Sequence, residues 1–143
     1  MSRSGYSDDC GGWNLICWRG AVNSAIKGKR SQAFLIELRE ALDAMPEKRL
    51  ITEELEADGQ FCTLGVLGAK RGIDMSNLAP DCRETVAAAF DIAPALAAEI
   101  VFKNDEYPGG FYDGSGKWSR ETPEQRWQRM RNWVEASIQE AKT

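Results

Sequence analysis

The cysteines are the first residues to consider for chemistry, because a thiolate can act as a nucleophile or as a metal ligand. The chain has four, Cys10, Cys17, Cys62 and Cys82, and no histidine. A cysteine or serine nucleophile ordinarily needs a neighbouring base, most often histidine. The absence of any Cys-x-x-Cys pair disfavours zinc, and the irregular spacing disfavours a disulfide framework. The sequence therefore predicts no catalytic residue, no metal site and no cofactor.

Asn104 and Asp105, together with Cys62, leave a small-molecule-binding or enzymatic function as an alternative. Asn104 and Asp105 stand beside a glycine-rich segment, whereas the other acidic residues are too numerous to single out. Cys62 lies in an apolar run, which favours a packed core thiol over a nucleophile. If these three residues lined a pocket, the protein could be a small-molecule binder or a minor enzyme.

Two groups of basic residues are candidates for contact with nucleic acid or with an acidic partner. Lys27, Lys29 and Arg30, here named the basic turn, surround a glycine, and a simple solvated turn is the favoured explanation for them. Arg126, Arg129 and Arg131 follow one another along the last predicted helix. The formal net charge of −4 argues against a general nucleic-acid binder, because phosphate binding requires a local excess of lysine and arginine.

Aromatic residues cluster in a stretch rich in glycine. They are Tyr107, Phe111, Tyr112 and Trp118. Aromatic side chains in such a stretch either anchor a partner protein or fold back over the core. We predict a partner-binding role for these four residues, with the second interpretation left open.

The elements that must position these residues are mostly helices. Apolar residues recur at three- and four-residue steps, which is the pattern of an amphipathic helix. Gly28 is expected to end the first helix and Ser31 to cap the second, and Thr122-Pro123-Glu124-Gln125 predicts a capping box. The predicted helices cover residues 13–27, 32–45, 61–69, 81–90, 94–103 and a segment that begins at 123.

These segments predict a mainly α protein, a compact single-domain helical bundle of about five to six helices over residues 1–143. Residues 1–12 are expected to be a flexible N-terminus and residues 104–121 a long exposed loop. For residues 48–62, a short extended segment or a hairpin is an alternative to helix. No signal peptide and no apolar run of about 18 residues is present, so we expect a cytoplasmic protein without a membrane span.

Several motifs along the chain form a recognisable set, namely Trp18-Arg19-Gly20-Ala21, Lys27-Gly28-Lys29-Arg30, Leu55-Glu56-Ala57-Asp58-Gly59, Cys62-Thr63-Leu64-Gly65, Arg71-Gly72-Ile73-Asp74-Met75 and Glu121-Thr122-Pro123-Glu124-Gln125-Arg126-Trp127. With these motifs the chain resembles a family of small proteins of tailed phages and prophages. The resemblance covers nearly the whole chain, although residues 107–117 are longer than the family pattern. A looser similarity, carried by Cys62-x-Leu64-Gly65 and the later Asn104-Asp105, links the chain to a broader set of small phage proteins with a Cys-x-Leu-Gly segment and a downstream Asn-Asp.

The resemblance implies a setting, an infected or lysogenic bacterial cell, and no particular reaction. Together with the missing catalytic set, it leads us to expect a non-enzymatic accessory protein that binds a host or phage protein, as a host-takeover factor or an inhibitor of host defence. The alternatives are a nucleic-acid-associated protein and the small-molecule binder or minor enzyme described above. The oligomeric state is left open.

Overall fold

The amphipathic segments form six α-helices in the part of the chain that the structure describes. The computed structural model describes residues 12–79, 82–105, 110–112 and 114–138, and in residues 12–18, 110 and 111 it describes the backbone alone. The expectation of a mainly helical domain is confirmed. The helices are α1 (Gly12–Lys27), α2 (Lys29–Asp43), α3 (Thr63–Arg71), α4 (Arg83–Phe90), α5 (Pro94–Asp105) and α6 (Pro123–Ser137).

Two short antiparallel hairpins interrupt the helices. The first pairs β1 (Glu56–Ala57) with β2 (Gln60–Phe61). Its two-residue turn has Asp58 at φ 53° and Gly59 at φ 77°. Positive φ at both turn residues is typical of tight hairpins. The hairpin option for residues 48–62 is therefore confirmed. The second pairs β3 (Gly110–Tyr112) with β4 (Trp118–Arg120).

At the junction between α1 and α2, the prediction that Gly28 ends the first helix is confirmed, because α1 ends at Lys27. Gly28 has φ −68° and ψ 150°, so it lies in extended backbone and stands directly before the first residue of α2. The prediction that Ser31 caps this helix is wrong. Ser31 lies inside α2 and is buried, because the helix starts immediately after Gly28.

Regular structure occupies much of the described part of residues 104–121, the segment expected to be a long exposed loop, whereas residues 106–109 and 113 lie outside the description. Asn104 and Asp105 form the end of α5, and residues 110–112 and 118–120 pair as a hairpin. Glu121 is buried between two arginines of α6. Backbone pairing and side-chain burial thus replace the loop at both ends. The N-terminal residues 1–11, expected to be flexible, lie outside the described residues.

The local end signals of α3 and α6 act as predicted. Gly72 ends α3 in the left-handed conformation, φ 73°, which glycine adopts without strain. Thr122 accepts a hydrogen bond from the Gln125 backbone, and the Gln125 side chain accepts one from the Thr122 backbone. The capping box is therefore confirmed.

Two helices hold the core together. α2 packs against α1, α3 and α6, and α5 packs against α1, α3, α4 and α6. Trp127 belongs to the core, and its indole donates a hydrogen bond to the Leu42 carbonyl at 3.2 Å. The largest fully buried apolar side chains are Leu35, Leu38, Leu42, Leu50, Leu64, Leu67, Phe90, Leu96, Ile100 and Met130.

Candidate functional site

The β3–β4 hairpin presents two aromatic side chains to solvent. Tyr112 and Trp118 lie directly opposite each other in the strand register. Their ring centroids are 5.1 Å apart, with an interplanar angle of 64°, which is an edge-to-face contact. The side chains are 72% and 50% exposed, and they are the exposed large hydrophobic residues of the described part of the chain. We name these two residues the aromatic pair.

Two exposed basic residues of the hairpin lie close in sequence to Trp118. Lys117 precedes Trp118 in the turn and Arg120 ends β4, and both are exposed. Gly116 closes the turn with φ 82°, a conformation that glycine favours. No described helix packs extensively against this hairpin. The aromatic pair therefore belongs to the surface and not to the core.

The structure brings together two of the four aromatics that the sequence singled out. Tyr107 lies outside the described residues, and Phe111 is placed in β3 with its side chain outside the description. The interpretation that the aromatics fold back over the core does not hold for Tyr112 and Trp118, because both are exposed.

The arginines Arg126 and Arg129 face inward to one carboxylate, that of Glu121. Arg129 donates two hydrogen bonds to Glu121, at 2.7 and 2.9 Å, and a third to the Lys103 carbonyl. Arg126 is buried, donates to the Leu50 carbonyl at 2.8 Å and lies 3.5 Å from Glu121. Burial lowers the pKa of Arg126. Both side chains fasten α6 to the body of the protein.

Arg131 is also paired internally. It donates two hydrogen bonds to Asp43 of α2, at 2.8 and 3.0 Å, and one to Glu135. The predicted basic surface of Arg126, Arg129 and Arg131 is therefore occupied by ion pairs within the fold. Sequence reasoning missed this because the partner carboxylate of Arg131 lies 88 residues away.

The basic turn remains at the surface. Lys27, Lys29 and Arg30 are all exposed and surround Gly28 at the α1–α2 junction. Arg30 lies 3.3 Å from Asp91, which is itself 82% exposed. Ion pairs of this kind contribute little because water and salt screen both charges. Of the two basic groups, the basic turn is the one that stays available to a partner.

Cys62, Thr63 and Asn104 meet in the interior. The Thr63 backbone and hydroxyl both donate to Asn104 Oδ1, at 3.1 and 2.7 Å. Asn104 Nδ2 donates to the Ile51 carbonyl at 2.9 Å and to Asp105 Oδ1 at 2.7 Å. All hydrogen-bonding groups of the Asn104 amide are thus engaged in holding α5 to the start of α3. Thr63 and Asn104 therefore form a structural joint between α3 and α5.

The Cys62 thiol is part of the same joint. Its Sγ caps α3 by accepting a hydrogen bond from the Gly65 backbone at 3.4 Å. Burial raises the pKa of Cys62 from 9.0 to about 12. A thiol with such a pKa is almost fully protonated at neutral pH and is a weak nucleophile. The prediction of a packed core thiol is confirmed.

Gly65 allows the first hairpin to approach α3 closely. A Cβ atom at Gly65 would lie 1.8 Å from the Leu55 carbonyl oxygen, a distance that no packing adjustment tolerates. That carbonyl accepts a hydrogen bond from the Cys62 backbone at 3.1 Å. The glycine of the Cys-x-Leu-Gly segment therefore serves backbone contact.

No group of three or more cysteine, aspartate or glutamate side chains among the described residues is placed to hold a metal ion. No single described helix is both long and apolar enough to span a bilayer; α4 and α5 meet that criterion only when taken together, and they are bent by 107°. Comparisons with protein-family models, curated proteins and solved structures found no match.

Proposed function

We propose that this chain is a non-enzymatic accessory protein of a phage or prophage that binds a host or phage protein through the β3–β4 hairpin. The observation that supports this function is the aromatic pair, Tyr112 and Trp118, which is held edge to face at 5.1 Å and exposed to solvent. Under this proposal the protein acts in the cytoplasm of a bacterial host, as a takeover factor or an inhibitor of defence.

The aromatic pair has the physical properties of an interface anchor. Tyrosine and tryptophan are enriched among residues that dominate binding energy, because they bury a large area and lose few rotamers. Cross-strand pairing already restricts both rings, so binding costs less conformational entropy. Lys117 and Arg120 beside the pair favour a partner surface with acidic residues at its rim.

The experiment that tests this function is a pull-down from lysates of an infected or lysogenic host. The wild-type chain is compared with the double variant Tyr112→Ser/Trp118→Ser and with the control Lys27→Ser/Lys29→Ser, which alters exposed residues of the basic turn. We expect the wild type and the control to retain one stoichiometric partner. The aromatic variant should bind it about tenfold more weakly or worse, as for an anchor residue.

Two results would contradict the proposed function. One is the recovery of no stoichiometric partner by the wild-type chain. The other is a partner that the aromatic variant retains and the basic-turn variant loses.

The second candidate, a nucleic-acid-associated protein, is favoured only by the exposure of Lys27, Lys29 and Arg30. It requires binding to DNA or RNA that weakens steeply with salt and disappears in the basic-turn variant. An unchanged affinity in that variant would exclude the basic turn as the contact.

A further inference from the structure

A groove of about 460 Å³ lies between the end of α2, the following turn, the β1–β2 hairpin and α3. It is open to solvent, and its volume falls in the range that small-molecule sites occupy. Apolar side chains line most of it, namely Ala41, Ala44, Met45, Pro46, Phe61 and Val66.

The walls of the groove belong to packed helices and to a tight hairpin, so their conformation is fixed by the fold. Val66 and Ala41 are buried residues of two packed helices, and Met45 and Phe61 are half-buried at the sides. Pro46 lies shortly after the end of α2 and has no backbone donor to continue it. Gly59, in the left-handed conformation, turns the β1–β2 hairpin at the border of the groove. A concave apolar surface is therefore built before any ligand arrives.

Two cations on the lining are only loosely paired in the described part of the chain. Arg49 forms an ion pair with Glu124 at 3.8 Å, longer than a hydrogen bond, and its buried Nε has no hydrogen-bond acceptor. Lys70 at the end of α3 is exposed, and its charge acts on Glu37 of α2. Glu47 is the acidic residue on the lining, so the charged side chains there carry one net positive charge.

The neighbouring cation, Lys48, is already engaged in hydrogen bonds within the fold. Its ammonium group donates to the Asp43 and Met45 carbonyls at the end of α2 and lies 5.5 Å from the centre of the Trp127 ring. The carbonyls at the end of α2 are thereby satisfied by a positive charge, which reduces their repulsion of an anion. Arg49 and Lys70, each with an acidic residue near it but no charge-assisted hydrogen bond to a described residue, are the lining cations that can turn to the polar end of a ligand.

We propose that this groove binds a small amphiphile, a molecule with an apolar body and a single carboxylate. The body lies against Met45, Phe61 and Val66, and the carboxylate receives hydrogen bonds from the terminal nitrogens of Arg49 and from Lys70. A planar carboxylate fits the fork of a guanidinium. This site is separate from the β3–β4 hairpin and does not depend on the function proposed for it.

The test uses three probes that share one apolar chain and differ in charge: decanoate, 1-decanol and decylammonium. Binding to the whole protein is followed by calorimetric titration and by backbone amide shifts, below the critical micelle concentration. We expect decanoate to bind about tenfold more tightly than 1-decanol, because charge-assisted hydrogen bonds are added. Decylammonium should bind most weakly. Absence of saturable decanoate binding, or tighter binding of decylammonium, would overturn the proposal.

Matched variants locate the site. Ala44→Trp fills the groove from its edge, whereas Ala33→Trp changes an exposed alanine of α2 outside it. Only Ala44→Trp should abolish decanoate binding. Arg49→Gln/Lys70→Gln should weaken decanoate about tenfold and leave 1-decanol unchanged, while Lys29→Gln should change neither. Amide spectra verify that each variant is folded. Equal decanoate affinity in Ala44→Trp and the wild type would refute the assignment.

Discussion

The single side chain of Asn104 connects three parts of the chain: α5, the start of α3 and the segment at Ile51. Its amide oxygen accepts from the backbone and hydroxyl of Thr63, and its amide nitrogen donates to the Ile51 carbonyl. The side chain is buried, so water cannot replace these partners. A buried polar group that loses its partner costs more than the hydrogen bond contributed.

Replacement of Asn104 should therefore be strongly destabilising. Asn104→Ala leaves the Thr63 donors and the Ile51 carbonyl without partners, and we expect the free energy of unfolding to fall by about 3 kcal/mol. Urea unfolding measures the change. The matched control is Asn23→Ala on the exposed face of α1, for which we expect a change within about 0.5 kcal/mol. Equal effects of the two substitutions would show that the joint at Asn104 is energetically unimportant.

Cys62 and Cys82 should differ in reactivity because their surroundings differ. Cys62 is buried with a pKa of about 12, and Cys82 is exposed. A rise of three units from 9.0 reduces the Cys62 thiolate about 1,000-fold at neutral pH. Brief treatment of the folded protein with iodoacetamide, mapped by mass spectrometry, should modify Cys82 and spare Cys62. After denaturation both should react, and rapid labelling of Cys62 in the folded state would contradict its burial.

At the scale of the elements, the first hairpin can contact α3 closely only because residue 65 is a glycine. Gly65→Ala places a Cβ against the Leu55 carbonyl, and we expect a loss of about 2 kcal/mol or more in unfolding free energy. Gly20→Ala is the control, since a Cβ at that helical position meets nothing within 4 Å. Alanine there should stabilise α1 by about 0.5–1 kcal/mol. The two glycines should thus give opposite signs in thermal or urea unfolding.

The attachment of α6 to α2 should depend on pH. The hydrogen bonds from Arg131 hold the pKa of Asp43 below its ordinary value in the folded protein. The ionised Asp43 carboxylate therefore contributes its full share of folding stability above the pKa that Asp43 has in the unfolded chain. This stability is lost as pH falls through the lower pKa that Asp43 has in the folded protein. Because Asp43 is 48% exposed, we expect Arg131→Gln to cost only about 0.5–1 kcal/mol at neutral pH.

That cost should disappear in acid, once Asp43 is protonated in the wild type. Urea unfolding of both proteins across the acidic range measures the difference. Arg30→Gln, which removes an exposed pair, should match the wild type throughout. If the difference in unfolding free energy between Arg131→Gln and the wild type stays constant into acid, the effect of the substitution comes from packing and not from charge.

Several elements follow from short-range sequence signals, whereas the pairing of the arginines and the groove depend on long-range contacts. The Thr122-Pro123-Glu124-Gln125 capping box and the Gly72 cap need only neighbouring residues, and both were predicted. The pairing of β3 with β4 was missed because three-residue strands carry too little periodicity. The internal pairing of Arg126, Arg129 and Arg131 depends on carboxylates placed by tertiary packing. The groove combines residues from four separate segments, which no local pattern reveals.

At the scale of the whole molecule, the described residues form one continuous apolar core. Residues from α2 to α6 contribute to a single cluster, with Leu42, Leu64 and Met130 among its buried members. Trp127 lies in this cluster, so its fluorescence reports core packing, while circular dichroism reports the helices. Neither Tyr112 nor Trp118 belongs to the cluster.

Unfolding should therefore be a single cooperative transition. Urea curves from fluorescence and from circular dichroism should coincide, with a slope of about 1–3 kcal/mol/M. The double variant Tyr112→Ser/Trp118→Ser should follow the same curve within about 0.5 kcal/mol, because the aromatic pair is outside the core. Two separated transitions would indicate parts that unfold independently.

The position of the aromatic pair has a consequence for how this protein can change over time. Substitutions at Tyr112 or Trp118 leave the core side chains and their hydrogen bonds in place. Under the proposed function, natural selection can then alter this binding surface without loss of the fold, since most destabilising mutations act through buried groups. A lineage under pressure from a changing target could replace the two rings repeatedly while the helical body stays the same.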